Sequence, residues 1–333
     1  MLRLLAMAAA ALFLLGVTGA ALLSQHLEPV SESGEPVLFV VSPGESLRTV
    51  VARLESQGLV RDARVASGWA RWKGLAGSLK VGEYRISPTS SVAEILDQIA
   101  RGAVATYEVS IPEGLTAVEI GRRIAEAELV DEAAFAAAVR DPELAAKLGV
   151  PASHLEGYLL PETYRMPRGL SAEDVATLLV EHFMEVWGEL EPKARERELS
   201  LHEVATLASI VEKETGAAPE RPLIASVFHN RLGRGMRLES DPTIIYGIPD
   251  FDGNLRRRDL DNAANPYNTY QIPGLPPGPI ASPGRAALEA VVDPAESDFL
   301  FFVSRNDGTH HFSKTYREHA RMVDRYQRRR GRK

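Results

Sequence analysis

No cysteine occurs among the 333 residues. Disulfides, thiolate nucleophiles and cysteine-ligated zinc are excluded together. The absence suits an oxidising compartment without pointing to one. Metal chemistry by histidine is also poorly supplied. There are eight His, with no HExxH and no pair at ligand spacing. The His310-His311 doublet reads as part of a strand. A glycine-rich phosphate loop, a GxSxG elbow and a dinucleotide fingerprint are all missing. No metal and no cofactor are expected. Positive charge is in short supply too: 38 Lys and Arg against 45 Asp and Glu give a formal net charge of -7. Such a chain has no general attraction for polyphosphate, so no nucleic-acid partner is expected. The basic cluster Arg328-Arg329-Arg330-Gly331-Arg332-Lys333 reads as a solvated tail. Length allows two folded domains, and 45% hydrophobic with 25% charged residues is ordinary globular composition.

Charge is also missing from one long stretch. Leu4 to Leu23 is 20 consecutive uncharged residues behind a lone Arg3. About 20 apolar residues span a bilayer core as a helix, whereas a cleavable signal has a shorter apolar core of about 7–15. Thr18-Gly19-Ala20-Ala21 resembles a cleavage site, but length favours an uncleaved anchor over residues 1–23. With almost no chain before it, the remainder lies on the far side if Arg3 stays inside. Residues 24–36 are polar and rich in turn formers, as a linker is.

Beyond the linker, β-rich runs alternate with helical patterns. Val37–Val41 and Gly82–Ile86 read as strands. Ser46 caps a helix with Leu47, Val50, Val51 and Leu54 on one face, closed by Gly58. Ser90 or Ser91 caps another with Val92, Ile95, Leu96 and Ile99. Tyr107–Ile111 alternates like a half-buried strand, and after Pro112-Glu113-Gly114 a helix carries Val118, Ile120, Ile124 and Leu129. Strand, turn and helix recur at 37–54 and 107–129, a faint internal repeat. Residues 131–200 are mostly helical, interrupted by a loop or strand at 155–164 with two carboxylates and two tyrosines. Ser200 and Glu203 form a capping box for a helix with a Leu201, Val204, Leu207, Ala208, Val211 stripe, stopped by Gly216 and Pro219. A helix from Arg221 to Leu232 follows. Residues 233–284 are irregular, yet rich enough in aromatic and β-branched side chains to be ordered, which marks a functional segment. A helix near Arg285–Val292, a strand Phe299–Val303, a Gly308 turn, His311-Phe312 and a helix from Lys314 complete the chain. The fold class is α+β.

With metals and nucleophilic motifs set aside, carboxylates remain: Glu156, Glu162, Glu212, Glu214 and Asp241. Glu212 and Glu214 close the Leu201 helix. At about 100° per residue each flanks the apolar stripe by a similar angle, so periodicity cannot choose between them. A carboxyl beside apolar surface has its charged form disfavoured, as a general acid near neutral pH requires. A solvated Glu pair around Lys213 is the plainer alternative.

Several ordered strings then carry a resemblance: Leu207-Ala208-Ser209-Ile210-Val211-Glu212-Lys213-Glu214-Thr215, Ser226–Leu232, Met236–Thr243, Tyr267-Asn268-Thr269-Tyr270, Gly274–Ile280, and upstream Leu155-Glu156-Gly157 with Pro161-Glu162-Thr163-Tyr164. Together they resemble the MltG family, the YceG-like endolytic murein transglycosylases, over nearly the whole chain. His229 departs from the pattern, standing where an apolar residue is commoner. The resemblance implies a LysM-like module at 37–105, a catalytic domain at 106–327 and a basic tail at 328–333. It implies cleavage of the β-1,4 bond between N-acetylmuramic acid and N-acetylglucosamine in nascent strands, leaving a 1,6-anhydro end and terminating elongation. It assigns the catalytic acid/base to Glu212. Ordinary glycosidases use two carboxylates; an attacking 6-hydroxyl from the sugar itself lets one suffice. Asn230, Asn268 and Thr269 are expected to hydrogen-bond N-acetyl groups, and Tyr267 and Tyr270 to stack on sugars. Asp241 and Thr243 would orient the site, and Glu156 would line it. Partners are expected to be glycan strands, the inner membrane and peptidoglycan synthases, with the catalytic domain outside the cytoplasm. A non-catalytic, membrane-anchored wall-binding scaffold is the competing class, and a hydrolase a third, separated by product chemistry.

Overall fold

The structure is a computed structural model, and it describes Met7, Leu14, Val17, Thr18 and residues 23–328. The expected anchor over 1–23 and the tail beyond Arg328 thus lie almost wholly outside the described residues. Among the described residues no helix is long and apolar enough to cross a membrane. The chain divides into two compact units. One holds the described residues up to Tyr107 together with Arg165–Gly169. The other holds Glu108–Tyr164 and Leu170 onwards.

The first unit is a two-stranded antiparallel sheet with helices. β1 (Val37–Val41) pairs with β2 (Gly82–Ile86), placing Phe39 opposite Tyr84 and Val37 opposite Ile86. Between them run α1 (Leu47–Ser56) and α2 (Ala63–Trp72), and α3 (Val92–Arg101) follows. Each starts where an oxygen side chain satisfies the first backbone N–H groups: Ser46, Asp62 and Ser91, the last in a capping box with Glu94. The sheet face with Phe39, Val41, Tyr84 and Ile86 and the helix stripes with Val50, Leu54, Ile95, Leu96 and Ile99 bury one core. Helix α2 was not apparent in the sequence pattern, because only Ala66 and Ala70 of it are buried.

The second unit begins in β3 (Tyr107–Ser110), followed by α4 (Ala117–Glu126), α5 (Glu132–Val139) and α6 (Pro142–Lys147). Burial along α4 follows Ala117, Ile120, Gly121 and Ile124, the i, i+3, i+4, i+7 spacing of one helix face. That register leaves Val118 exposed, contrary to its expected place on the apolar face. Residues 155–160 are buried throughout and lead into β4 (Thr163–Met166), partner of β3. Next come the long α7 (Ala172–Glu196), α8 (Leu201–Glu214) and α9 (Arg221–Gly233). The irregular segment contains two short helices, α10 (Asp241–Tyr246) and α11 (Arg257–Leu260). Then α12 (Arg285–Val292), the antiparallel pair β5 (Phe301–Ser304) and β6 (His310–Ser313), and α13 (Tyr316–Val323) close the unit. β5 starts two residues later than expected. The carbonyls of Phe299 and Leu300 instead accept from Asn230 Nδ2 at 3.0 Å and Arg231 Nε at 2.7 Å.

Helix α8 is central. Helices α7, α9, α10 and α12 all pack on it, and every residue from Val204 to Val211 is buried. The expected single stripe is therefore too narrow: α8 is enclosed all round, with Thr206 and Ser209 inside as well. Ser209 Oγ donates to the Thr206 carbonyl at 2.7 Å and accepts from Ile280 N at 3.0 Å, so its burial leaves no unmet polar group.

Gly157 sits at φ +84°, and a Cβ there would run into Pro279. Both conformation and space require glycine. Gly157→Ala is expected to destabilise the second unit by more than about 1 kcal/mol, read as a lowered midpoint in thermal unfolding followed by circular dichroism.

Candidate active site

The last turn of α8 sets the geometry. Glu212 and Glu214 lie about 200° apart around the helix axis. Because several helices pack around α8, each carboxylate meets a different neighbourhood.

On one flank, Glu212 Oε1 accepts from Arg221 Nη2 at 2.8 Å, and Oε2 accepts from the Gly284 amide at 3.2 Å. The pair is well shielded, with side chains 13% and 7% exposed for Arg221 and Glu212. The same Arg221 nitrogen holds Glu113 at 2.8 Å, and Lys213 Nζ donates to the Gly114 carbonyl at 3.0 Å. Glu212 and Lys213 thus fasten the Pro112-Glu113-Gly114 turn to the end of α8. Both oxygens of Glu212 are occupied by donors, which fixes the side chain in place.

On the other flank, Glu214 opens onto a cavity of about 390 Å³. Asp241 and Tyr270 line it, with Arg231 and Glu239, and an apolar wall that includes Leu238, Leu300 and Phe301; Tyr316 and His319 of α13 complete it. Glu214 Oε1 accepts one hydrogen bond, from Ser240 Oγ at 2.6 Å. Burial pushes its carboxyl up to about 7; the Ser240 hydroxyl pulls against that rise and the Asp241 charge adds to it. The neighbouring carboxylates are otherwise engaged. Asp241 accepts from Tyr270 Oη at 2.8 Å, and Glu239 pairs with Arg231 at 3.0 Å. Arg231 is locked further by the carbonyls of Arg237, Leu238 and Leu300. Burial pushes the His319 imidazole down, with the Arg231 charge assisting, and the ring stacks 5.3 Å from Phe301.

The other expected site residues divide into two groups. Thr243, Asn268 and Thr269 have their polar groups engaged internally, as has the amide nitrogen of Asn230. Asn230 holds the Ser297 and Phe299 carbonyls. Asn268 Nδ2 donates to the carbonyls of Asp259, Leu260 and Asn262, and its Oδ1 accepts from Tyr270 N at 3.1 Å. Thr243 and Thr269 join hydroxyls at 2.8 Å, and Thr269 accepts from Ser240 N. These residues shape the walls from behind. Glu156 and Tyr267 lie elsewhere. Glu156 borders a second, mainly apolar cavity of about 310 Å³ with His154 and Tyr246. Burial pushes its carboxyl up to about 7. It accepts from Ala117 N at the start of α4 at 3.0 Å and from Tyr246 Oη at 3.4 Å. Tyr267 packs edge-on against Tyr246.

Of the expected set, Asp241 and Tyr270 share the cavity with Glu214. Ser240, Glu239, Arg231, Tyr316 and His319 were not anticipated. Glu239 and Ser240 stand in the same quoted string as Asp241, so adjacency pointed to them. Nothing in the local pattern of α13 marked Tyr316 or His319.

A family model described as the YceG-like family matches residues 39–325. The chain belongs to the YceG-like family. A curated relative from Bacillus subtilis (strain 168), named endolytic murein transglycosylase, is 28% identical over 320 residues, covering 90% of this chain and 88% of its own. A Streptococcus pneumoniae protein of the same name is 29% identical over 329 residues, covering 89% of this chain; the chain spans 60% of that protein's length. A crystal structure of a yceG-like protein from Listeria monocytogenes is 32% identical, with a TM-score of 0.61 over 87% of this chain and 99% of that one.

A carboxyl whose native value is raised stabilises the fold at low pH, fully below its unfolded value of 4.5, and loses that contribution as pH climbs through about 7. Glu214→Gln removes the ionisation. Its stability relative to the parent chain is therefore expected to improve as pH rises from about 5 to 8, measured by urea denaturation across that range.

Proposed function

We propose that this chain is an endolytic murein transglycosylase in which Glu214, not Glu212, is the catalytic acid/base. The observation that carries the assignment is the contrast between the two carboxyls. Glu214 borders the cavity and is held protonated towards neutral pH by burial, while Glu212 is bound by Arg221 and the Gly284 amide. A general acid needs a proton near working pH and access to substrate.

The substrate is a nascent peptidoglycan strand, cut at the β-1,4 bond between N-acetylmuramic acid and N-acetylglucosamine. The Glu214 carboxylic acid gives its proton to the glycosidic oxygen, and the C1–O bond breaks. The resulting carboxylate takes the proton from the 6-hydroxyl of the same muramyl residue. That oxygen bonds to C1 and closes the 1,6-anhydro ring. N-acetylglucosamine departs with a free 4-hydroxyl, and Glu214 ends protonated. Water takes no part, so a second carboxylate acting on water has no role. The hydrogen bonding of Asp241 by Tyr270 fits this economy. Asp241 and Tyr270 contact the strand; Asn230, Thr243, Asn268 and Thr269 hold the surrounding loops. Glu156 and Tyr267 border a neighbouring part of the substrate path.

The uncharged stretch Leu4–Leu23 anchors the chain in the plasma membrane with the enzyme outside the cytoplasm. The first unit, a small strand-and-helix body, serves as the LysM-like module and the second unit as the catalytic domain. Cleavage of a nascent strand ends its elongation, which places the enzyme beside peptidoglycan synthases.

Uncrosslinked glycan strands digested with the full chain are expected to yield anhydro-muramyl ends by mass spectrometry. Glu214→Gln abolishes them. Glu212→Gln keeps one acceptor, enough for Arg221 or for the Gly284 amide but not both, so it retains the product while unfolding more readily. Reducing ends would make the protein a hydrolase, and loss in Glu212→Gln alone would return the role to Glu212. The rate is expected to fall as pH rises through about 7, where Glu214 gives up its proton.

A further inference from the structure

The first unit carries an apolar groove whose walls are Leu23, Leu27, Val65, Gly68, Trp69 and Trp72, with Arg64 at its edge. Trp72 is 72% exposed and Leu23 55%. The two indoles stand 5.1 Å apart at a tilt. Lys73 Nζ lies 4.5 Å from the Trp72 ring centre and 5.1 Å from that of Trp69. Large apolar groups left open like this mark a contact surface.

The geometry points to a lipid bilayer as what covers this groove: the patch rests at the headgroup level beside the membrane anchor. This rests on the reading of Leu4–Leu23 as an anchor. Leu23 is both the last residue of the apolar run and a wall of the groove, so the groove begins where that run would leave the hydrocarbon. Tryptophan concentrates at that boundary, where its amphipathic ring has one side apolar and the other wet. Lys73 and Arg64 place cations where lipid phosphates lie, with apolar stems along the groove. The patch would hold the first unit down on the surface rather than leave it free on the linker.

The test uses the full chain in phosphatidylglycerol/phosphatidylcholine vesicles containing acyl-brominated lipid, with Trp72→Phe alongside. Trp72 is too exposed for its loss to disturb folding. The protein is expected to float with the vesicles, with tryptophan emission shifted to the blue and quenched, and Trp72→Phe is expected to lose much of the quenched share. Flotation with the Trp72 emission unquenched and at its aqueous wavelength overturns the inference and leaves the anchor standing. A blue shift without quenching means another copy of the chain covers the patch, and overturns it too. Failure to float overturns the anchor and this inference together, while the anhydro-product assay stands apart from both.

Discussion

Enclosure of α8 governs the last turn of that helix. Four helices pack on it, so at its C-terminal end Lys213 is exposed while Glu212 and Glu214 are half-buried, and a half-buried carboxylate needs a partner to keep its charge without cost. Glu212 finds one in Arg221 and the Gly284 amide. Glu214 finds a single hydroxyl, that of Ser240, which is too little to support a full charge. Two glutamates separated by one residue thereby meet different surroundings: one fastens the Glu113 turn through Arg221, the other faces a cavity with its carboxyl pushed up by burial.

The cavity depends on the segment after α9. Asn268 gathers three backbone carbonyls through one amide group, and the Thr243–Thr269 contact joins the start of α10 to the Asn268 loop. Ser240 stands between them, with its amide bound to Thr269 and its hydroxyl turned to Glu214. Irregular backbone is thus made rigid by buried side-chain hydrogen bonds rather than by a ladder. Networks of this kind are costly when a member is lost. The opposite wall comes from β5 and α13, and Arg231 ties it to α9 through the Leu300 carbonyl.

Much of the fold was legible because local signals agreed with one another. The caps at Ser46, Ser91 (of the Ser90 or Ser91 expected) and Ser200 begin helices where expected. The strands read at Val37–Val41 and Gly82–Ile86 do become a paired sheet. The family was legible too, since several strings stood in order. What escaped was non-local. Periodicity treats α8 as having one buried face, so it cannot say what covers Glu212 and what covers Glu214. The covering groups, Arg221, Gly284 and Ser240, come from three other places in the chain. Asn230, Asn268 and Thr269 looked like ligand-binding side chains because the sequence does not show where their hydrogen bonds go; they go to backbone carbonyls, an amide and the Thr243 hydroxyl within the protein. Val118 missed its face by one helix position, and His319 reaches the cavity from α13, which gave no sign of it.

The central claim is that Glu214, and not Glu212, meets the scissile bond. The most direct measurement is a crystal structure of the Glu214→Gln variant with an uncrosslinked glycan oligosaccharide bound. The account predicts the glycosidic oxygen within hydrogen-bond reach of the side chain at position 214, with Asp241 and Tyr270 against the sugars and the Arg221–Glu212 pair intact. A glycosidic oxygen beside Glu212, with Arg221 displaced from it, would contradict the account.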